Sequence, residues 1–321
     1  MPRAAVLPSA SVERSQFAED VAYYLSLTPR QLPSRYLYDE LGSALFEAIC
    51  RLPWYHITRL EDELLRLHAS HVFTRLEGFG TIIELGPGNG EKLATLLDTA
   101  ARGPMTTHLV DVSAHALSGA IRTLAASRDL TVVARRATYE AGLAEFARER
   151  RAGGRALALF LGSNIGNFDP PGADAFLLAI RAALTQGDCL LLGTDLVKPE
   201  RELLLAYDDP LGVTAAFNKN LLVRANRELA ADFDLDGFAH RVRWNSEASR
   251  IEMHLVSIRE QQVRLAEGRL DVTFQPGESI WTESSYKYRP AGVLAMLDRA
   301  GFSALDQWVS GGFALTLAGA R

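Results

Sequence analysis

The segment Thr81-Ile-Ile-Glu-Leu-Gly-Pro-Gly-Asn-Gly-Glu-Lys92 constrains the fold of this chain more than any other. An apolar, strand-like run is followed by Gly86, Gly88 and Gly90 and then by residues that favour a helix. Because glycine has no Cβ, the backbone N–H groups of such a turn can closely approach a ligand. A dinucleotide-binding fingerprint would place its third glycine one residue later, where this chain has Glu91. The segment predicts a strand, a ligand-binding turn and a helix.

The same alternation of strands and helices continues to about residue 197. A capping box at Thr58-Arg-Leu-Glu61 predicts the start of a long helix toward Arg75. Strands are predicted at 81–85, 107–112, 130–135, 156–162 and 189–196, with helices at about 91–101, 114–127 and 140–151 and one starting at Pro170-Pro171. This order indicates βαβ units and a parallel sheet covered on both faces. Ligands bind such sheets at the carboxyl ends of the strands.

The alternation stops after residue 198. Residues 199–245 are predicted to form helices and loops, and residues 250–285 a meander of strands with turns at Glu267-Gly268 and Pro276-Gly277. A helix after Pro290 and a hairpin over 305–318 follow. We therefore predict one domain from 58–198 plus 286–321, and an inserted second domain from 199–285 plus the mostly helical residues 1–57.

Composition excludes several classes of protein. The 321 residues are 48% hydrophobic and 23% charged with a net charge of −5, which argues against nucleic acid as the main partner. No apolar run reaches the roughly 18 residues of a membrane helix, and no signal-peptide apolar region follows Met1. Cys50 and Cys189 are too few for a disulfide framework, and both are predicted to be buried free thiols. We expect a cytoplasmic protein that binds neither membrane nor nucleic acid.

Polar residues follow the predicted strands where a ligand would bind. Asp111, 25 residues after Gly86, can accept hydrogen bonds from ribose hydroxyls. It could instead cap the next helix, although Ser113 could also do so, and NAD enzymes carry an acid at the same place. Asn167 offers donors and an acceptor for a carboxylate or an amine, and its alternative interpretation is an ordinary turn residue.

Other polar groups are ambiguous from the residues alone. Glu283 and Ser285 alternate on an extended segment, so both point to one face and could pair with an imidazolium. A solvated strand edge is the simpler interpretation, and the residues alone favour it. His68 and His71 are three apart on a helix, but no acid or cysteine accompanies them at ligand spacing, so we predict no metal site. Physical reasoning alone selects none of the tyrosines at 36, 38, 55 and 207.

The glycine segment resembles the first motif of Rossmann-like S-adenosylmethionine methyltransferases, and further motifs resemble one family among them. These are Tyr36-Leu-Tyr-Asp-Glu-Leu-Gly-Ser, Arg51-Leu-Pro-Trp-Tyr, Glu84-Leu-Gly-Pro-Gly, Phe160-Leu-Gly-Ser-Asn-Ile-Gly-Asn, Gly193-Thr-Asp-Leu-Val-Lys, Tyr207-Asp-Asp, Val213-Thr-Ala-Ala-Phe-Asn, Asn226-Arg-Glu-Leu, Asp232-Phe-Asp-Leu-Asp, Trp244-Asn-Ser, Arg250-Ile-Glu-Met and Lys287-Tyr-Arg-Pro. Together they look like the histidine-specific N-alpha-methyltransferases of ergothioneine biosynthesis, from about residue 15 to the C-terminus.

The resemblance implies an α/β fold: a Rossmann-like class I methyltransferase sheet with an inserted α+β substrate-binding domain. It implies S-adenosyl-L-methionine as methyl donor, S-adenosyl-L-homocysteine as its product, L-histidine as substrate, hercynine as the trimethylated product, and a monomer. The implied cofactor-binding residues are Gly86, Gly88, Lys92, Asp111, Thr138 and Tyr139. For histidine, the resemblance implies Asn167 and Tyr207 at the carboxylate, Tyr55, Glu283 and Ser285 at the imidazole, Met253 lining the pocket, and Tyr38 near the reacting amine, with Tyr38 and Asn167 as the catalytic pair.

One position departs from the family pattern, and three alternatives stay open. Family members commonly read adenine with an Asp-aromatic pair, where this chain has Thr138-Tyr139. Tyr139 can still stack on the base, whereas Thr138 lacks the charge and weaker cofactor binding follows. The alternatives are an N-methyltransferase acting on another amino acid or small amine, an NAD-dependent oxidoreductase, and a binding module without turnover.

Overall fold

The computed structural model describes residues 10–76, 78–98, 104–127, 129–150, 154–266 and 270–321. Its helices are α1 (Ala10–Ser26), α2 (Glu40–Cys50), α3 (His56–Arg75), α4 (Glu91–Leu97), α5 (Ala114–Leu124), α6 (Tyr139–Glu149), α7 (Pro170–Ala183), α8 (Glu200–Tyr207), α9 (Val213–Leu229) and α10 (Pro290–Arg299). Its strands are β1 (Arg30–Gln31), β2 (Phe79–Leu85), β3 (Met105–Asp111), β4 (Leu130–Arg136), β5 (Arg155–Phe160), β6 (Cys189–Asp195), β7 (Phe238–Asn245), β8 (Arg250–Ser257), β9 (Gln261–Leu265), β10 (Leu270–Phe274), β11 (Ser279–Tyr286), β12 (Phe302–Ser310) and β13 (Phe313–Ala320).

The chain divides into two units. The sheet unit comprises His56–Lys198 and Tyr286–Arg321, and the insertion unit comprises Met1–Tyr55 and Pro199–Ser285.

The sheet unit is built on one seven-stranded sheet in the order β12-β13-β6-β5-β2-β3-β4. Neighbouring strands from β4 to β6 are parallel, and β13 runs antiparallel to both β6 and β12. The chain moves outward from β2 through β3 to β4 and then returns to place β5 on the other side of β2. The carboxyl ends of β2 and β5 therefore form the topological switch point, where doubly wound sheets bind ligands.

The central strands are apolar on both faces because helices cover both. Phe160 on β5 and Leu190 on β6 are fully buried, and on one face α6, α7 and α10 add Phe146, Phe176 and Leu297 to the same core. Burying each such side chain contributes about 1.5–3 kcal/mol. The Asp169 side chain caps α7 by accepting from the Gly172 N–H, ahead of the two prolines that open the helix.

The predicted strands and helices of this unit are confirmed, with bounds that shift by a few residues, and so is the final hairpin. The capping box is wrong. The helix begins at His56, so Thr58 lies inside it, and Glu61 is fully buried instead of turning back to the helix start. Residues 99–101 of the helix predicted at 91–101, and residue 151 of the helix predicted at 140–151, lie outside the described residues.

The insertion unit holds a four-stranded sheet in the order β1-β11-β8-β7 and a separate β9–β10 hairpin. The predicted helices and the strands after Arg250 are confirmed. Strand β7 corrects the prediction of helices and loops through residue 245. Alternate residues Phe238 and His240 are buried while Arg241 and Arg243 point away, and β7 pairs antiparallel with β8. The predicted Glu267-Gly268 turn lies outside the described residues.

Two smaller findings concern the cysteines and the helices. Cys189 is a buried free thiol as predicted, but Cys50 is only half-buried. Over the described ranges, no helix combines the length and the apolar character required to cross a membrane.

Candidate active site

The glycine turn after β2 is tightly packed on one side and open on the other. Gly86 has φ of +72°, and a Cβ built on it would lie 2.7 Å from the Tyr139 hydroxyl and 2.9 Å from Asn164 Nδ2. Gly88 also has a positive φ, of +55°, but a Cβ there would meet no described atom within 4 Å. The sheet unit thus offers an exposed backbone turn with a close-packed base.

The turn after β5 faces this glycine turn because β5 and β2 are adjacent in the sheet. Gly162 and Ser163 have φ of +74° and +58°, and the short 3-10 helix Asn164–Asn167 follows. Asn164 reaches toward Gly86, whereas Asn167, the predicted histidine ligand, is exposed on the same short helix. The structure therefore places the Asn167 segment at the switch point.

Asp111 ends β3 with its carboxyl group held by backbone groups. Its Oδ1 accepts from the Ser113 N–H at 2.8 Å, while the Ser113 hydroxyl caps α5 by accepting from Ala116 N–H at 3.3 Å. Burial raises the pKa of Asp111 to about 6, although backbone hydrogen bonds from Ser113 and Val112 act in the opposite direction. Ser113 performs the capping, so the remaining acceptor capacity of Asp111 is available to a ligand.

The predicted adenine-reading pair lies at the start of α6. Thr138 is exposed and caps this helix, its Oγ1 accepting from the Ala141 N–H at 3.3 Å. The Tyr139 ring packs against Phe160 and Phe176 with centroids 5.5 and 5.6 Å away. Burial raises the pKa of Tyr139 well above its usual range, so its phenol stays protonated beside Gly86.

A buried ion pair lies beneath the two turns. Lys92, in the first turn of α4, pairs with Glu61 of α3. Both Glu61 carboxylate oxygens also accept from the Gly162 N–H at 2.8 Å. The Glu61 carboxylate thus links α3, the first turn of α4 and the turn after β5.

Glu84 is a second buried carboxyl group at this end of β2. Burial raises its pKa to about 8, Lys92 lowers it, and the carboxylates of Glu61 and Asp111 add to the increase. At neutral pH this group is protonated. Among the described residues its Oε2 has no hydrogen-bond partner, and a buried polar atom of that kind is satisfied by a water or a ligand group.

Three of the predicted histidine-binding residues belong to one aromatic cluster in the insertion unit. The Tyr38 ring contacts Phe46 and Phe217, each with centroids 5.5 Å apart, and Tyr55 contacts Phe46 at 6.3 Å and Tyr207 at 6.2 Å. Burial raises the pKa of the Tyr55 phenol well above its usual range, and Tyr207 adds to the effect. These phenols are neutral hydrogen-bonding groups with apolar rings.

Tyr207 is fixed at both its hydroxyl and its backbone. Its hydroxyl lies 2.8 Å from Ser285 Oγ, and its carbonyl oxygen lies 2.9 Å from His240 Nε2. The other ring nitrogen of His240 lies 2.9 Å from Asn218 Nδ2. Since Asn218 donates there, the Nε2 of His240 carries the proton and donates to Tyr207, and burial lowers the pKa of His240 so that the ring stays neutral.

Strand β11 carries Glu283 and Ser285 on one face. The Trp281 indole donates to the Glu283 carbonyl oxygen at 2.9 Å, and the Thr282 hydroxyl donates to the carbonyl of Met253 on neighbouring β8 at 3.0 Å. Met253 and Ser285 are buried. The solvated-edge interpretation is wrong for Ser285, whose side chain is buried, whereas Glu283 is half-buried and lies beyond the two positions where β1 pairs with β11.

The structure gathers the predicted residues in two groups. The glycines, Lys92, Asp111, Thr138, Tyr139 and Asn167 belong to the sheet unit, and Tyr38, Tyr55, Tyr207, Met253, Glu283 and Ser285 to the insertion unit. Sequence reasoning missed Glu61, Glu84 and His240. A buried acid before a glycine turn was a usable signal for Glu84, but no local pattern marks Glu61 or His240.

Histidine and acidic side chains form no metal centre in the described ranges, where no group of three or more His, Cys, Asp or Glu could hold an ion. His68 instead stacks on Trp308 with ring centroids 4.6 Å apart.

Strand order, the antiparallel β13 and the glycine turn at the switch point define a Rossmann-like methyltransferase of class I. The model of the family described as "Histidine-specific methyltransferase, SAM-dependent" matches residues 17–320, so the chain belongs to that family. Its use of S-adenosylmethionine follows from that membership.

Two mycobacterial relatives match over nearly their whole length. Histidine N-alpha-methyltransferase of Mycobacterium tuberculosis is 44% identical over 306 residues, covering 93% of each chain. The protein of the same name from Mycolicibacterium smegmatis is 42% identical over 304 residues, again covering 93% of each. Ergothioneine biosynthesis protein 1 of Neurospora crassa is 27% identical over 288 residues, which is 88% of this chain and 32% of that protein.

Proposed function

We propose that this enzyme transfers methyl groups from S-adenosylmethionine to the α-amine of L-histidine, three times, giving hercynine for ergothioneine biosynthesis. The observation that carries the proposal is the placement of Glu283 and buried Ser285 on one face of β11, with Ser285 bonded to Tyr207. A carboxylate and a hydroxyl on one face suit the two ring nitrogens of an imidazole. The names of the mycobacterial relatives and of the Neurospora protein support the same assignment.

We assign the methyltransferase core to residues 58–198 plus 286–321, which are the sheet unit without its first two residues. Its residues fit the donor molecule: an open glycine turn, a strand-end carboxyl at Asp111 for the ribose, and Lys92 in the first turn of α4. The Oε2 of Glu84, which has no hydrogen-bond partner in the part of the chain that the structure describes, adds a buried polar atom that a ligand group would satisfy. We assign adenine recognition to Thr138 and Tyr139.

We assign the substrate-binding domain to residues 1–57 plus 199–285, which are the insertion unit with His56 and Ile57 added. We assign the imidazole to Tyr55, Glu283 and Ser285, and the apolar lining to Met253. The histidine carboxylate is assigned to Asn167 and Tyr207, and the amine to Tyr38. Neutral phenols are suitable for these roles because they donate hydrogen bonds without adding charge.

The chemistry requires a neutral amine and a fixed direction of attack. S-adenosylmethionine supplies an electrophilic methyl group on a sulfonium. An α-amino group titrates near 8 at a chain terminus and higher in a free amino acid, so at alkaline pH water can take up its proton without a dedicated base. Phenol hydroxyls and Asn167 orient the nitrogen lone pair, and alignment of this kind supplies much of the rate enhancement. The Tyr38 ring favours the growing positive charge by about 1–2 kcal/mol when water is excluded.

Mass spectrometry of L-histidine incubated with the enzyme and S-adenosylmethionine tests the proposal. We expect a product heavier by three methyl groups. A panel of other amino acids and small amines serves as comparison, and a better substrate than histidine would favour the alternative of a related N-methyltransferase. Tight S-adenosylhomocysteine binding without methylation of any amine would indicate a binding module, and binding of NAD instead would indicate an oxidoreductase.

We also propose that the enzyme acts in the cytoplasm as a monomer, with no nucleic acid or membrane partner. The low cysteine content supports a cytoplasmic location, and the net charge of −5 argues against nucleic acid and anionic membranes as partners. Light scattering of the purified protein and fractionation of cells that produce it are the tests, and a dimer mass or a membrane-bound fraction would contradict the proposal.

A further inference from the structure

We infer that Glu61 is a positioning residue for the methyl donor, because it fixes the Lys92 ammonium and the Gly162 backbone at the switch point. The inference rests on the proposed donor-binding role of Lys92. It assigns to Glu61 no contact with the donor itself.

Glu61 occupies a space that the fold keeps free for a carboxylate. Its side chain is fully buried, and both oxygens lie 2.8 Å from the Gly162 nitrogen. A Cβ built on Gly193 of β6 would lie 1.9 Å from Glu61 Oε1. Any larger residue at position 193 would therefore collide with the carboxylate.

The ion pair with Lys92 makes this burial tolerable. An unpaired buried carboxylate costs several kcal/mol, so Glu61 depends on a cation. The Lys92 side chain is 23% exposed, which leaves it a route to solvent while Glu61 has none. The ion pair therefore restrains Lys92, whose side chain could otherwise turn toward solvent, whereas Glu61 is already held by its burial.

Restraint of the ammonium matters for the part of the donor that it would bind. S-adenosylmethionine has an amino-acid end with a carboxylate, and a lysine in the first turn of a helix is a suitable partner for it. A lysine side chain loses much of its rotamer entropy when it is fixed. Because Glu61 already fixes the Lys92 side chain, binding of the donor carries less of this entropy cost.

Calorimetric titration with S-adenosylhomocysteine tests the inference without histidine. Glu61→Gln keeps an acceptor for the Gly162 N–H and removes the charge, and we expect the Kd to rise about tenfold. Glu63→Gln, an exposed residue on the same helix, is the matched control and should bind like the unmodified enzyme. An unchanged Kd for Glu61→Gln would overturn the inference.

A double-mutant cycle separates positioning from a general structural role. Lys92→Met should weaken binding by itself, and adding Glu61→Gln to it should change the Kd by less than about twofold, because Glu61 acts through Lys92. The double variant should also melt at a higher temperature than Lys92→Met, since Glu61→Gln removes the buried charge that Lys92→Met leaves without its lysine. Equal weakening by Glu61→Gln in both backgrounds would contradict the inference.

If the single Glu61→Gln variant fails to fold, comparison of Lys92→Met with the double variant still tests the inference, because a further rise in Kd well above twofold in the double variant would overturn it. A chain that shows the expected coupling but does not methylate histidine would refute the proposed function and leave this inference standing.

Discussion

The hydroxyl oxygen of Tyr207 lies 2.8 Å from Ser285 Oγ, although 78 positions of chain separate the two residues. Tyr207 ends α8, and Ser285 lies near the end of β11, so the bond ties the C-terminus of a helix to a strand of the insertion sheet. Both side chains are buried. The bond therefore fixes two predicted histidine ligands relative to each other.

Removing either hydroxyl should weaken histidine binding more than donor binding. Tyr207→Phe and Ser285→Ala should each raise KM for histidine about tenfold, since each removes a hydroxyl assigned to the substrate and the hydrogen bond that orients the other residue, a loss of about 1–3 kcal/mol. Steady-state kinetics measures this, with S-adenosylhomocysteine affinity expected to stay within twofold. Tyr23→Phe, at a mostly exposed tyrosine, is the control. Unchanged KM in both variants would remove these residues from the site.

Glu283 should determine the preference for histidine. Glu283→Ala should lower kcat/KM for histidine by at least about a hundredfold, because a site built to pair a polar substrate group penalises the loss of that pairing heavily. Donor affinity should be retained. Glu260→Gln, at an exposed acid between β8 and β9, is the control. Unaltered histidine kinetics in Glu283→Ala would refute this assignment.

Alanine substitutions at Gly86 and at Gly88 should lower the free energy of unfolding by unequal amounts. Gly86→Ala combines a strained φ of +72° with contacts of 2.7 and 2.9 Å, so we expect a loss of about 1–3 kcal/mol in unfolding free energy and a weaker donor complex. Gly88→Ala carries only the backbone strain, because the added methyl group meets open space among the described atoms. Chemical denaturation and donor titration measure both variants. An equal loss of stability would contradict the packing described for Gly86.

Donor affinity should fall in acid through Asp111. Its folded pKa is raised to about 6, so the carboxylate that would accept ribose hydroxyls is protonated as pH falls through 6. We expect the Kd for S-adenosylhomocysteine to rise between about pH 7 and pH 5, and the slope to flatten in Asp111→Asn. The same slope in both proteins would assign the dependence to another group.

Stability should fall with rising pH through Glu84. Its pKa is raised from 4.5 to about 8 in the folded state, so over that window the folded chain retains a proton that the unfolded chain has lost. Unfolding free energy therefore decreases as pH rises from about 4.5 to 8. Glu84→Gln should gain stability relative to the unmodified enzyme as pH rises, as measured by urea denaturation at several pH values. A difference independent of pH would show that Glu84 is ionised in the folded state.

Local patterns predicted the parts of the fold in which neighbouring residues decide the structure. Apolar runs and glycines gave strands such as β2 and β6, the turn at Gly86 and the final hairpin, because strand burial and positive φ depend on a few adjacent residues. Family motifs added the histidine-binding set, which residue chemistry alone left open. Strand β7 was missed although Arg241 and Arg243 take the outward positions of a period-two alternation, because buried His240 takes the place of an apolar residue on the inward face.

Only the tertiary structure decided which distant groups meet. Glu61 looks like a helix-capping acid in sequence, yet it accepts from Gly162, 101 positions away. His240 holds the backbone of Tyr207, because its Nε2 donates to the carbonyl oxygen of that residue 33 positions away. Sequence thus determined the α/β class, the glycine turn and the family of this protein through short-range periodicity and motifs. The buried ion pair and the Tyr207–Ser285 bond depend on where the chain crosses itself, which no local pattern of residues encodes.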